Sequence, residues 1–340
     1  MSTKNNILEI DGQKIKKGER KRVYIDMGTI YDFTEVKMPV EIIRGKKDGP
    51  TIFLSAAIHG DEICGIEIIR NVLKSKYLKN IAGTLIAVPI VNIFGFNDKT
   101  RYLPDRRDLN RCFPGNKNGS LAGQLAYKFT DEIVNKCDLG IDFHTGAYHR
   151  FNAPQIRANL KNNKALEYAK VFNAPSIIDA NLRDGSLREA GSMKKIPILL
   201  YEGGEMLRFD KEVIDTGIRG VLNIMSHLKM IDYKDDKKRK KSFISHSSSW
   251  LRAPKSGILI ERKKVGTIVR INDILGEIVN PFGDHKTLVK AKESGVIIGA
   301  SKLPLVNQGD ALFHIATSND KYQNDSDVYY SSDDLDPLNS

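Results

Sequence analysis

Residues 51–62 read TIFLSAAIHGDE. The stretch Thr51–Ile58 is an apolar run of strand length, and it stops at His59-Gly60-Asp61-Glu62. An apolar run that does not alternate predicts a strand buried on both faces, as in a sheet covered by helices. The residues that follow, Glu62–Lys74, predict a helix. A strand, a small loop and a helix in that order place the loop side chains at the carboxyl edge of a sheet. That edge is where open α/β sheets build their sites.

The same pattern recurs along the chain. Thr84–Val91 (TLIAVPIV), Leu139–Phe143 (LGIDF), Ser176–Ile178 and Ile196–Tyr201 (IPILLY) predict further strands. Leu121–Val134, Asn162–Phe172 and Lys211–Leu228 predict helices, the first with Ser120 as its N-cap. Lys16–Arg44 is rich in β-branched residues and fits antiparallel strands at a sheet edge. Residues 1–232 therefore read as an α/β catalytic domain. Residues 233–249 read as a basic, serine-rich linker. Its run Lys237–Lys241 reads as a solvated hinge rather than a localisation signal or a nucleic-acid patch.

Residues 250–316 carry an internal repeat. Ala253–Ile260 (APKSGILI) matches Ala291–Ile298 (AKESGVII), and Asp273–Ile278 (DILGEI) matches Asp310–Ile315 (DALFHI). Short strands with glycine at fixed offsets predict a small all-β unit of two similar halves. The pattern resembles the barrel-sandwich fold of biotinyl and lipoyl domains. Their modifiable-lysine hairpin has no counterpart in Asn280–Thr287, where Lys286 is the only lysine. The unit then reads as a rim over the active site or an assembly surface, and homo-oligomerisation stays open. Residues 317–340 form an acidic tail expected to be disordered.

Composition bounds the function. Of 340 residues, 41% are hydrophobic and 28% charged, which excludes wholesale disorder. No apolar run reaches the length of a membrane-spanning helix, and the N-terminus has no apolar leader. Three cysteines, Cys64, Cys112 and Cys137, fit a reducing compartment, and a cytoplasmic location is expected. The net charge is +11; the last 22 residues hold six Asp and one Lys, which leaves +16 on residues 1–318. That excess could attract nucleic acid, a membrane surface or small anions. With no recognition-helix motif, RNP-like strand or zinc finger, a nucleic-acid partner is not expected.

Four clusters carry chemistry. His59 and Glu62 lie three residues apart, so both side chains reach one point, and imidazole and carboxylate are common zinc ligands. Taken alone the pair also fits a surface loop. His144 ends the apolar strand Leu139–Phe143 and offers a third ligand, leaving an open position for water. Asp142 could accept a hydrogen bond from a histidine N–H. His144 taken alone also fits a hydrogen-bonded buried histidine. Glu202 follows PILLY, and a carboxylate at the end of a buried strand is costly unless paired or used; beside a metal-activated water it would act as general base and then acid. Glu205 is the weaker candidate. Asn110 and Arg111 offer a clamp for a carboxylate, and Arg101 a donor to an oxyanion.

The ordered set His59-x-x-Glu62, Asp108-Leu109-Asn110-Arg111, His144 and Glu202 resembles the succinylglutamate desuccinylase/aspartoacylase family, within the zinc carboxypeptidase-like superfamily. The resemblance spans about residues 45–320. It implies a mixed central sheet flanked by helices with a small C-terminal all-β domain. It implies one Zn2+ per chain on His59, Glu62 and His144, with Glu202 as the catalytic carboxylate. It implies that Asn110 and Arg111 grip an amino-acid carboxylate and that Arg101 stabilises the oxyanion, although the segment Tyr102–Arg107 is longer than in aspartoacylase. Arg150, Arg157, Arg183 and Arg188 are all possible anchors for the rest of the substrate.

The function expected is a zinc amidohydrolase that deacylates a small N-acylated amino acid or related amide. The alternative is a zinc metallocarboxypeptidase acting on a peptide C-terminus, which needs an open groove.

Overall fold

The computed structural model describes residues 8–235 and 240–317. Residues 237–239 of the basic run and the acidic residues 318–340 lie outside them. Three parallel strands form the middle of one large sheet. Ile198–Glu205 pairs with Leu139–Gly146, which pairs with Lys47–Ala56. Ala82–Val88 continues the parallel set on the far side of Lys47–Ala56. Glu35–Arg44 and Arg20–Thr29 then complete that edge in antiparallel order, where Lys16–Arg44 predicts edge strands.

Burial follows from this position. Every residue of Leu139–Gly146 is buried, because it has a strand on either side and an apolar layer on each face. Adjacent residues serve opposite layers. Leu54 packs with Ile68, Phe172 and Val221 among the helices Cys64–Leu73, Asn163–Phe172 and Lys211–His227. Phe53 packs with Val40, Phe129 and Leu187 on the other face, beneath the helix Leu121–Glu132. The helix starts match their capping residues. Ser120 Oγ accepts from Gly123 N, and Asp210 accepts from Val213 N.

The other half of the sheet is antiparallel. Arg150–Ala158 lies against Ile198–Glu205, and Gly295–Ser301, Ala311–Thr317 and Ser248–Arg252 follow it. The sequence repeat is thus a repeat of paired strands. Gly257–Glu261 pairs with Ile274–Val279 in a four-stranded antiparallel sheet, and Gly295–Ser301 pairs with Ala311–Thr317 in the large one. Leu259, Leu275, Ile297 and Phe313 form a core between them.

Part of the serine-rich stretch pairs into the sheet. Phe243–Ser245 runs parallel to Ser176–Asp179 with Phe243 buried, and Ser248 begins the strand Ser248–Arg252. Ser245 Oγ lies 2.8 Å from Thr317 O, so short polar side chains satisfy backbone groups here. Among the described residues no helix is long and apolar enough to cross a membrane.

The helix Cys64–Leu73 approaches the sheet closely at Gly65. A Cβ there would lie 2.4 Å from Phe143 Cβ and 2.7 Å from Ala56 Cβ. These are backbone-proximal atoms that cannot swing away. Gly65→Ala is expected to destabilise the fold by about 1–3 kcal/mol through overpacking, read as a lower urea midpoint at unchanged slope.

Candidate metal centre and active site

The carboxyl ends of the three parallel strands converge on one point. His59 sits just past the end of Lys47–Ala56, His144 lies within Leu139–Gly146, and Glu202 pairs in register with His144. Glu62 completes the loop before the helix Cys64–Leu73. Ala57, where the chain leaves the strand, has φ of 52°, a left-handed conformation that non-glycine residues seldom adopt. Its carbonyl is held by Asn92 N at 2.9 Å.

His59, Glu62 and His144 are all buried, and their potential ligand atoms lie within 4.8 Å of one another. His59 Nδ1 is 2.8 Å from Glu62 Oε1, and His144 Nδ1 is 2.8 Å from Glu62 Oε2. The outer nitrogens point the opposite way. His144 Nε2 is 2.7 Å from Asp142 Oδ2, and His59 Nε2 is 3.1 Å from Asp108 Oδ1. A carboxylate cannot donate, so each Nε2 donates to its aspartate, and Nδ1 is the nitrogen of each ring that would turn its lone pair to a cation held beside Glu62. Asp142 is held in turn by Ser55 Oγ at 2.7 Å from the neighbouring strand.

This is a donor set for a cation. Burial acts to raise the Glu62 carboxyl, but His59 and His144 outweigh it and hold it well below the usual carboxylate range. Burial acts to lower His144, but Asp142 and Glu62 outweigh it and raise it well above the usual imidazole range. Two imidazole nitrogens and a carboxylate, each backed by a second group, fit Zn2+ with a position left open. His59, Glu62 and His144 are the residues that would hold it.

Arg101 lies beside this centre. Its Nη1 donates to Glu62 Oε1 at 3.0 Å and its Nη2 to Asp108 Oδ2 at 3.0 Å. Burial opposes ionisation of Asp108, yet His59 and Arg101 hold its carboxyl far below the usual range. Asp108 therefore positions a histidine and an arginine at once. It also caps the next turn by accepting from Asn110 N at 2.8 Å. Asn110 Oδ1 accepts from Leu187 N at 2.9 Å, and Arg111 Nη1 donates to the Asn110 carbonyl at 2.5 Å.

All seven of the singled-out residues, His59, Glu62, Arg101, Asn110, Arg111, His144 and Glu202, line one cavity of about 540 Å³. Arg150, Arg157, Arg183 and Arg188 line it too. Glu205 does not; its Oε1 is 3.6 Å from His149 Nδ1. The C-terminal strands contribute Ser248, Trp250 and His314 to the same wall. Trp250 stacks on His314 with ring centroids 4.6 Å apart, and the Arg150 guanidinium lies 5.1 Å from the Trp250 ring centre. Burial, with Arg157 and Arg150 nearby, pushes His314 down to about 3, so it is neutral. Lys286 is far from this chemistry in kind, paired with Glu277 on an exposed hairpin.

Asp179 and Asn152, like Ser248, Trp250 and His314, line the cavity and escape a reading by motif. Asp179 has no signal beyond its place at a strand end. Asn152 lies on Arg150–Ala158, a strand whose proline and alternating polar residues hide it. Its Nδ2 donates to Glu202 Oε2 at 2.6 Å.

The chain matches the succinylglutamate desuccinylase/aspartoacylase catalytic domain over residues 48–228. It is 26% identical over 298 residues to the N-alpha-acetyl-L-2,4-diaminobutyric acid deacetylase of Halomonas elongata, covering 83% of this chain and 86% of that protein. Among solved structures, a succinylglutamate desuccinylase/aspartoacylase from Rhodobacter sphaeroides is 23% identical, with a TM-score of 0.76 over 87% of this chain and 95% of that one. The product-bound ectoine utilization protein EutE (DoeB) from Ruegeria pomeroyi is 21% identical, with a TM-score of 0.80 over 93% of this chain and 100% of that one.

The ligand set makes a direct prediction. His144→Ala is expected to lose stoichiometric zinc when the purified protein is assayed by elemental analysis. Asp142→Asn is expected to keep the site but weaken zinc affinity by roughly 10–100-fold, the range for loss of a histidine's supporting carboxylate. Full occupancy in His144→Ala would show that the metal sits elsewhere.

Proposed function

The chain belongs to the succinylglutamate desuccinylase/aspartoacylase family, and on that footing we propose that it is a zinc-dependent amidohydrolase removing the acyl group from a small N-acylated amino acid. One observation carries the reading. The triangle His59, Glu62 and His144, with a carboxylate behind each histidine, opens into the cavity that also holds Glu202 and Arg111.

Zinc in such a site supplies Lewis-acid activation of water and of the scissile carbonyl. The protein supplies the rest. Glu202 takes the proton of the attacking water and returns it to the leaving amine nitrogen. Arg111 and Asn110 hold the amino-acid carboxylate so that the amide is presented to that water. Arg101, held by Asp108, offers N–H donors where negative charge develops on the carbonyl oxygen.

The cavity wall favours an acidic substrate. Among the described residues, the guanidinium groups of Arg157 and Arg183 have no hydrogen-bond or ion-pair partner. Burial lowers Arg183, and Arg111 and Arg157 lower it further. Arg188 is brought down to about 10 by burial and then by Arg157, while its guanidinium donates to the carbonyls of Ala180 and Asn181. Neighbouring cations that repel one another are relieved by an anion. An acyl group or amino-acid side chain with a second carboxylate supplies it. The Halomonas elongata relative acts on an acetylated diaminobutyric acid, whose extra amine would meet repulsion at this wall. A volume of about 540 Å³ suits a small molecule. Trp250 and His314 stand at the cavity wall and disfavour the extended peptide that a carboxypeptidase needs.

Glu202→Gln is expected to retain zinc and to lower kcat by roughly 10²–10⁴-fold, the contribution of a general acid–base group. Assays of N-acetyl and N-succinyl amino acids against short peptides, with and without chelator, test the reaction. Arg183→Ala is expected to lower kcat/KM by roughly tenfold or more for substrates with a second carboxylate and to spare those without one. Equal effects on both groups would place the second anion elsewhere.

A further inference from the structure

Glu202 does not stand alone on its strand. Asn152 lies beside it on Arg150–Ala158, in register with Gly204 on one side and with Gly299 on the other. Asn152 is nearly fully buried, and its Nδ2 donates to Glu202 Oε2 at 2.6 Å. The carboxylate can only accept, so it sets which way the carboxamide faces. The Asn152 Oδ1 must then turn away from Glu202, and it turns toward Gly299. A Cβ on Gly299 would lie 2.6 Å from that oxygen. Gly299 follows a bulge between Gly295–Ser301 and Ala311–Thr317, and its φ is not left-handed. Space, not backbone freedom, is what requires glycine there. The seam is pinned one step along by Gln155, whose Nε2 donates to the Ile298 carbonyl at 3.2 Å.

We propose that Asn152 is a positioning residue for the general base, and that Gly299, in the C-terminal strands, is the vacancy that lets it adopt its working orientation. With Oε2 held by Asn152, the Oε1 of Glu202 is the oxygen left to take and return the proton. The amide also fixes the carboxylate against rotation on a strand that carries a bulge just after it. The C-terminal β region thereby acts on the reaction without touching the reacting atoms. This inference rests on Glu202 being the base.

The test is a double-mutant cycle on the zinc-loaded, full-length protein, with the N-acetyl and N-succinyl amino acids that the wild type hydrolyses. Asn152→Ala is expected to lower kcat roughly ten- to hundredfold, the cost of misplacing a catalytic group, with KM and zinc content near wild type. Gly299→Ala is expected to reproduce much of that loss, because its methyl group displaces the amide. The pair together is expected to be no worse than Asn152→Ala alone, since the methyl group then has nothing to displace. Crystal structures of both single variants are expected to show the Glu202 carboxylate rotated. Additive losses, a change in KM alone, loss of zinc, or an unmoved Glu202 with wild-type kcat would each overturn the proposal. Glu202→Gln separates the two levels. If it is fully active, the base assignment fails; if it is inactive while Asn152→Ala and Gly299→Ala are unimpaired, only the positioning role fails.

Discussion

Everything at this centre depends on a carboxylate behind each histidine. Asp142 and Asp108 accept from the outer nitrogens of His144 and His59, so that the inner nitrogens both face Glu62. Without them an imidazole is free to present either nitrogen, and the site would be a cluster of polar groups rather than a binding geometry. The fold is arranged to make that pairing rigid. Asp142 and Ser55 are register partners on neighbouring buried strands, so the second group is as fixed as the sheet itself. Asp108 extends the same logic outward by binding Arg101 and by capping the turn that carries Asn110 and Arg111. One short segment therefore ties the His59, Glu62 and His144 cluster to Asn110 and Arg111.

Much of this was legible in the sequence, for a physical reason. Strands covered on both faces must be apolar throughout, so a histidine or glutamate at their ends stands out. His59, Glu62, His144 and Glu202 are all of that kind, and the parallel core of the sheet is visible for the same reason. The edge strands Arg20–Thr29 and Glu35–Arg44 show the alternation of half-exposed strands. The illegible parts are those whose identity comes from a distant partner. Arg150–Ala158 contains Pro154 and four polar or charged side chains, yet most of its residues are buried. Only its pairing with the C-terminal strands explains that. Asn152 looks like a loop residue until Gly299 is beside it. The stretch Phe243–Ser245 reads as linker because serine has no strand signal, and it becomes a strand because Ser176–Asp179 offers an edge. Arg150, Arg157, Arg183 and Arg188 are visible as arginines, but nothing in their spacing shows that they share a wall.

The C-terminal region is more than an addition to the sheet. Its repeated strand pairs divide the work. The first pair, Gly257–Glu261 with Ile274–Val279, builds a separate small sheet, and the second pair extends the sheet that carries His144 and Glu202. Through that extension Trp250 and His314 reach the cavity, and His314 stays neutral in the company of Arg150 and Arg157. A neutral aromatic surface among arginines adds shape to the cavity without relieving its charge.

The bond from Gln155 to the Ile298 carbonyl joins residues 143 positions apart. On a ribosome this has an order to it. A nascent chain acquires His59, Glu62 and His144 first, and Glu202 after them. The strand that lies beside Asn152, and His314 of the cavity wall, emerge well after all four. Long-range strand pairing is also slow to form. The part of the cavity wall made by Trp250 and His314 is thus added after the His59, Glu62 and His144 cluster, and a chain stopped before residue 250 would carry that cluster without this part of its wall.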